Sequence, residues 1–123
     1  MANEKTVFQK LIDGEIPSER IYEANLAIVI KDINPQAPTH VLIIPKTGQI
    51  PKLSDATKEH QALLGHLLLV AGKISRQLGV DEAFRLIINN GAEAGQTVFH
   101  LHLHLLAKKS FDEHSIGGDL GHQ

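Results

Sequence analysis

Hydrophobic residues recur at helical spacing in two segments of the chain, and they predict one short and one long helix. The short helix is predicted over residues 6–12, where Thr6 can cap the first turn and Gly14 follows the last. The long helix is predicted from about residue 54 to residue 78, and Gly79 is a typical C-terminal stop. Its apolar face comprises Leu63, Leu67, Val70, Ala71, Ile74 and Leu78.

Shorter apolar segments bounded by turn residues predict five strands. They span residues 20–23, 26–31, 39–44, 84–89 and 97–107. Between the second and third strands, two prolines predict a loop over residues 32–38, because proline lacks an N–H donor and restricts the backbone. Short strands joined by tight connections favour an antiparallel sheet. We therefore predict an α+β domain with both helices on one face of the sheet.

The last predicted strand alternates three histidines, His100, His102 and His104, with leucines. Alternate side chains of a strand point to opposite faces, so the leucines would enter the core and the imidazoles would share the other face, about 6.5–7 Å apart. Histidine changes charge near neutral pH and can act as a base, an acid, a nucleophile or a metal ligand. A row of this length could span one phosphorus atom with its oxygens and leaving group.

Composition and charge narrow the function further. A chain of 123 residues with 42% hydrophobic residues suits one globular domain, which we place at residues 1–107, followed by a polar C-terminal tail at residues 108–123. The absence of cysteine excludes disulfides and thiolate chemistry. A net charge of −2 argues against nucleic acid as the partner. The polar start and the short apolar segments predict a cytoplasmic protein with no membrane association.

Two other interpretations of the histidine row are open at this stage. The first is the polar face of a half-exposed strand, although such faces usually mix Thr, Lys, Glu, Ser and Arg. The second is a zinc site, in which His-x-His on one strand and His40 on another supply three ligands. No carboxylate or cysteine lies near the three histidines in sequence, and imidazole needs no metal to attack phosphorus. We therefore predict no metal and no cofactor.

The motifs around these histidines resemble a known family. The segment from His100 to Leu106 (HLHLHLL) matches the His-x-His-x-His-x-x signature, with hydrophobic x, of the histidine-triad (HIT) superfamily. The segment DINPQAPTH, which ends at His40, and the IPK that ends at Lys46 resemble the Hint branch, the histidine-triad nucleotide-binding proteins. The segments that end at Asn89 (IIN) and at Phe99 (GQTVF) extend the resemblance, which covers residues 6–107.

The resemblance implies a five-stranded antiparallel sheet that joins the sheet of a second subunit in a homodimer. It also implies hydrolysis of phosphoramidates of purine nucleoside 5′-monophosphates, especially adenosine. The nucleotidyltransferase branch has glutamine where this chain has His104, which favours hydrolysis. The diadenosine-polyphosphate hydrolase branch differs between Pro38 and Pro45. A dinucleoside polyphosphate hydrolase and a nucleotide-binding regulatory protein with little turnover are the alternative functions.

Site residues also follow from the resemblance, position by position. His102 is implied to be the nucleophile that attacks the α-phosphorus and forms a nucleotidyl-histidine. His104 is implied to donate a hydrogen bond or a proton at the leaving-group side. His40 and His100 are implied to set the orientation and tautomer of the central rings.

Further residues are implied to bind the substrate. Thr97 stands in place of a family serine that contacts the phosphate, and Asn89 matches an asparagine near the phosphate. The amides of the turn formed by Gly95, Gln96 and Thr97 would add neutral donors. Asp32 matches the carboxylate that holds the ribose hydroxyls. The implied apolar pocket around the base comprises Val7, Phe8, Leu11, Ile30, Ile33 and Leu42.

Two departures from the family pattern bear on the substrate. Ile30 stands where an aromatic residue is common, which weakens the expected stacking of the base. Ala107, Lys108 and Lys109 replace a common Gly-Gly-Arg, and the following tail differs from the tryptophan-containing end of some members. That end influences the choice of leaving group in the family, so this departure bears on which phosphoramidate is the substrate.

Overall fold

Residues 5–112 form a five-stranded antiparallel sheet with one short and one long α-helix. The computed structural model describes residues 5–112 and residue 114. The strands are β1 (Arg20–Glu23), β2 (Ala27–Lys31), β3 (Thr39–Pro45), β4 (Phe84–Ile87) and β5 (Leu103–Ala107), and the helices are α1 (Val7–Ile12) and α2 (Gln61–Gln77). The strand order in the sheet is β1-β2-β3-β5-β4. This arrangement confirms the predicted α+β architecture.

Helix α1 forms where the sequence predicts it, and the predicted start of α2 is wrong. The Thr6 hydroxyl accepts the N–H of Gln9 (3.1 Å) and caps α1. Residues 53–55 and 58–60 form separate 3₁₀ turns, so α2 begins only at Gln61. The turn before α2 closes locally because His60 Nδ1 accepts the N–H of Thr57 (2.9 Å), which satisfies a donor there.

The predicted histidine strand is too long at its N-terminal end. Strand β5 begins at Leu103, which pairs with Ile43 of β3, and residues 97–102 precede the strand. Strand β3 ends at Pro45, which has no N–H to donate to a neighbouring strand. The segment before β5 does not pair with β3 and is held by another hydrogen bond, in which the N–H of Leu101 donates to the carbonyl of Ile50 (2.7 Å). Likewise, β4 ends at Ile87 rather than at residue 89.

The two helices cover opposite faces of the sheet, so the prediction that both lie on one face is wrong. One face packs against α2, with Val29, Ile43 and Leu105 among its buried residues. The other face packs Ile28, Ile30, Leu42 and Ile44 against Phe8 and Leu11 of α1. The reason lies in β2 and β3, which are buried at consecutive positions and therefore need cover on both faces. The histidine face is the one that α1 covers.

Part of the predicted tail is described. The guanidinium of Arg85 in β4 lies 4.5 Å from the ring centre of Phe111, a cation–π contact that places the start of the tail beside the sheet. Residue 113 and residues 115–123 of the tail lie outside the described residues. Within the described part of the chain, no helix is long and apolar enough to cross a membrane.

Candidate active site

Three histidines from two strands and the segment before β5 meet on the α1 face of the sheet. The ring centres of His102 and His104 are 5.1 Å apart, and those of His104 and His40 are 5.2 Å apart. All three side chains are buried, with His102 2% exposed. His102 is not open to a cleft, because the rings of Phe8 and His102 pack nearly perpendicular to each other with their centres 4.7 Å apart.

The environment of His102 leaves one ring nitrogen with an available lone pair. Its Nδ1 lies 2.7 Å from the backbone oxygen of His100, and a carbonyl only accepts, so Nδ1 carries the proton. Nε2 is then unprotonated, and it is buried with no hydrogen-bond partner among the described residues. Burial lowers the pKa of His102 below its ordinary value of 6.5, with a smaller opposing effect of the His100 carbonyl. The ring is therefore neutral at pH 7.

The environment of His104 places its proton on Nε2, the nitrogen that carries a lone pair in His102. His40 Nδ1 accepts the N–H of Gln36 (3.0 Å), so the His40 proton is on Nε2, 2.9 Å from Nδ1 of His104 and 3.2 Å from Oδ2 of Asp32. With His104 Nδ1 as acceptor, the His104 proton is on Nε2, which is likewise buried and has no partner within residues 5–112 or at 114.

The pKa values of these rings are set mainly by burial. Burial, followed by repulsion from His102 and His40, lowers the pKa of His104 to about 4, although Asp32 acts in the other direction. Burial also lowers the pKa of His40 and of His100. The site therefore presents, side by side, a neutral ring with a lone pair and a neutral ring with an N–H donor.

His100 acts through its backbone rather than its ring. Its ring Nε2 lies 2.9 Å from the carbonyl oxygen of Pro45, to which it donates. The predicted influence of His100 on the tautomer of a central ring is therefore exerted by its carbonyl oxygen, which accepts the proton of His102. The ring lines a cavity of about 430 Å³ together with Gln9 and residues 46–49.

Asp32 was predicted to hold the ribose but was missed as a neighbour of the histidine row, because it lies far in sequence from His102 and His104. Its side chain is 1% exposed; one carboxylate oxygen contacts His40 and the other accepts the N–H of Asn34 (2.8 Å). Its implied role in holding a ribose stays a prediction. The Gln36 amide was missed as well, and no sequence signal could have indicated it, since every residue except proline has a backbone N–H.

The residues predicted at the phosphate side divide into two groups. The side chain of Gln96 is buried and holds the loop together, since it accepts the N–H of Gly91 (2.7 Å) and donates to the carbonyls of Pro51 (2.8 Å) and Val98 (3.0 Å). The N–H groups of Gly95 and Gln96 donate to carbonyls within the same loop, so they are not the amide donors that we predicted. Thr97 is exposed and Asn89 is half-buried.

The predicted apolar pocket also divides. Phe8, Leu11, Ile30 and Leu42 belong to the buried cluster between α1 and the sheet. Ile33, in contrast, is 97% exposed at the start of the loop after β2, and Val7 is exposed on α1. Only these two apolar side chains of the set are open to a ligand without movement of the core.

Asp32, His40 and His104 are close enough to be considered as metal ligands, since one ligand atom of each lies within 4.8 Å of the others. A neutral histidine that binds a metal through Nε2 carries its proton on Nδ1 and donates it to an acceptor. Nδ1 of His40 faces a donor, the N–H of Gln36, so a metal on Nε2 would bring two N–H groups together. The hydrogen bonding of these residues does not fit a resident metal.

Comparison with known proteins places the chain among relatives of the same size. A family model described as HIT domain matches residues 13–111. An uncharacterized HIT-like protein of Synechocystis is 57% identical over 108 residues, covering 88% of this chain and 94% of the relative. The purine nucleoside phosphoramidase of Escherichia coli is 46% identical over 104 residues, covering 84% and 87%. The crystal structure of a HIT family hydrolase from Legionella pneumophila has a TM-score of 0.86 and 37% identity, covering 89% and 98%.

Proposed function

The chain belongs to the HIT family, whose matched members include hydrolases, and from this premise we propose that it cleaves the P–N bond of purine nucleoside 5′-phosphoramidates. The proposal rests on the observation that two adjacent neutral rings carry their protons on different nitrogens. His102 offers a lone pair on Nε2, and His104 offers an N–H on Nε2. A nucleophile and a donor side by side suit attack on phosphorus with stabilisation of the departing group.

The reaction would proceed in two steps through a covalent intermediate. In the first, the lone pair of His102 Nε2 forms a bond to the α-phosphorus while the P–N bond breaks. The nitrogen leaves as a neutral amine, with one proton taken up from water, and His104 Nε2–H donates a hydrogen bond to the reacting group. In the second, water attacks the phosphorus, the bond to His102 breaks, and the nucleoside 5′-monophosphate leaves as one proton returns to water.

The protein would orient both rings without a positively charged side chain at the centre of the site. The His100 carbonyl keeps the proton of His102 on Nδ1 throughout, so the nucleophilic nitrogen never needs to be deprotonated. His40 donates its Nε2 proton to Nδ1 of His104, and Asp32 lies next to the same nitrogen of His40, so these two residues orient the His104 ring. Because burial keeps His102 neutral, the nucleophile is also available somewhat below neutral pH.

Substrate entry would require Phe8 to move off the ring of His102. Phe8 is buried against His102 and also lies in the apolar cluster implied to form the base pocket. We propose that the base and ribose displace this contact, with the base between α1 and the exposed side chain of Ile33. Thr97 and Asn89 are proposed to contact the phosphate, and Asp32 the ribose.

The proposal is tested with a panel of adenosine, guanosine and pyrimidine 5′-phosphoramidates together with diadenosine polyphosphates. We expect steady-state hydrolysis of the purine phosphoramidates, equal with and without a chelator, and slower reaction of the other compounds. In a single turnover, mass spectrometry should detect a nucleotidyl group on the peptide that contains His102. Binding without turnover would favour the regulatory alternative, and faster cleavage of diadenosine polyphosphates would favour the other hydrolase.

We also propose that two copies associate as a homodimer with a continuous sheet. Strand β4 lies at one end of the sheet with Phe84 partly exposed, and α2 exposes Leu68 and Leu69, which are 57% and 75% exposed. Light scattering after size-exclusion chromatography should give twice the mass of one chain, and Leu69→Glu should lower that mass at micromolar concentration. Lys58→Glu, an exposed change outside this surface, is the control. A single-chain mass for the unmodified protein would contradict the proposal.

A further inference from the structure

A series of hydrogen bonds connects the segment after β5 to His104. Nζ of Lys109 donates to the carbonyl oxygen of Gln36 (3.2 Å), and the N–H of Gln36 donates to Nδ1 of His40 (3.0 Å). Nε2 of His40 lies 2.9 Å from Nδ1 of His104. This series of hydrogen bonds thus runs from Lys109 at the surface, through Gln36 and His40, to the buried ring of His104.

The Gln36 amide favours one of two tautomer arrangements of the His40–His104 pair. In the first, His40 Nε2 donates to His104 Nδ1, which leaves the His104 proton on Nε2. In the second, His104 Nδ1 donates to His40, and His104 Nε2 becomes a bare lone pair. The second arrangement needs a proton on Nδ1 of His40, where it would face the Gln36 N–H at 3.0 Å. Two donors that face each other repel, and the carboxylate oxygen Oδ2 of Asp32, 3.2 Å from Nε2 of His40, also favours a proton on that nitrogen. The first arrangement is therefore selected.

The Gln36 peptide is itself held from several sides. Pro35 precedes it and Pro38 lies two residues further on, and both restrict the backbone of this loop. The side chain of Gln36 donates to the carbonyl of Asn34 (3.1 Å). On the exposed side, the carbonyl of Gln36 accepts from Lys109, which is a charged donor and comes from a distant part of the chain.

We propose that Gln36, through its backbone N–H, and Lys109, through its ammonium group, are positioning residues that keep the proton of His104 on Nε2. Their effect on turnover rests on the proposed function, whereas their effect on the tautomer does not. Lys109, two residues after the end of β5, thus orients the donor of the active site through the loop between β2 and β3.

The first test replaces Lys109. Lys109→Met should lower kcat about three- to tenfold with little change in KM, because the loss of one exposed charged hydrogen bond loosens the loop without removing a substrate contact. Lys109→Arg should restore kcat. Lys108→Met is the matched control, since Lys108 is the exposed neighbouring lysine and the Gln36 carbonyl accepts from Lys109. An unchanged kcat in Lys109→Met would overturn the role of Lys109.

The second test removes the Gln36 N–H itself. An ester in place of the amide at Gln36, introduced with the corresponding α-hydroxy acid, keeps the side chain and deletes the donor. The same change at Ser18, an exposed residue before β1, is the control, because an ester at Ala37 would weaken the Gln36 carbonyl that accepts from Lys109. ¹⁵N NMR of the histidine rings should show the His104 proton on Nε2 in the unmodified protein and on Nδ1 in a substantial fraction of the Gln36 ester. The kcat should fall by about 10²-fold or more, as for a catalytic imidazole held in the wrong tautomer.

The NMR result decides the positioning whether or not a phosphoramidate is hydrolysed. A His104 proton that stays on Nε2 in the Gln36 ester would overturn the proposal, even in an active enzyme. A tautomer that changes in the Gln36 ester, but not in the Ser18 ester, would support it, even if the substrate panel showed no turnover and the proposed function had failed.

Discussion

Replacing His102 by alanine is expected to lower phosphoramidate turnover by at least about 10⁴-fold. The variant loses the only nitrogen that we assign to covalent attack, and neither His104 nor His40 can replace it. The nitrogens of these two rings that face each other share a hydrogen bond, and the remaining nitrogen of His104 carries a proton. The single-turnover experiment should show no nucleotidyl group on the variant.

A folded variant is needed for this result to be interpreted. His102 is buried against Phe8, so the alanine variant leaves a cavity and costs some stability. His102→Asn fills more of the space and can still donate to the His100 carbonyl, so it should fold more stably while remaining inactive. His114→Ala, a change at an exposed histidine, should keep full activity. Turnover near the unmodified rate in either His102 variant would show that the assigned mechanism is wrong.

The stability of the protein is expected to fall as the pH decreases from about 7 to about 5. The four histidines of the site have pKa values that burial lowers below 6.5. In the window between 6.5 and the lowered pKa, the unfolded chain binds more protons than the folded protein, so the free energy of unfolding decreases with decreasing pH. For His104, with a pKa of about 4, the loss is about 2 kcal/mol by pH 5.

Urea unfolding at several pH values between about 8 and about 5 measures this dependence. The range stays above the region where most carboxylates become protonated, so the histidines dominate the change. His104→Gln should reduce the slope of the free energy of unfolding against pH, because it removes the histidine whose pKa burial lowers to about 4. An equal slope in the variant and the unmodified protein would contradict the assignment of a neutral, buried His104.

The sequence predicted most reliably those features of the sheet and of the site that depend on a few consecutive residues. Thr6 followed by apolar residues at helical spacing correctly predicts α1, and the apolar segments correctly place the five strands. The alternation of histidine and leucine correctly places the leucines in the core, with Leu103 and Leu105 buried against α2. These patterns are local because the side-chain period of a helix or a strand is set by a few consecutive residues.

Predictions failed where the deciding partner lies far along the chain. Nothing near His102 in sequence indicates that Phe8 covers it, and nothing near His104 indicates Asp32 or Gln36. The start of β5 depended on where β3 ends, at Pro45, rather than on the β-propensity of residues 97–102. The amides of Gly95 and Gln96 were predicted to donate to phosphate, but both donate to carbonyl oxygens of their own loop.

Side-chain identity and spacing were enough to identify a HIT-family domain whose histidines share one region of a sheet, because that information is carried by consecutive residues. What each histidine can do depends on contacts that exist only in the folded chain. The lone pair of His102 depends on a backbone carbonyl, and the proton of His104 depends on a ring 64 residues away and on a backbone amide behind it. Backbone groups are the same at almost every position, so the protonation of these rings becomes defined only when the chain has folded.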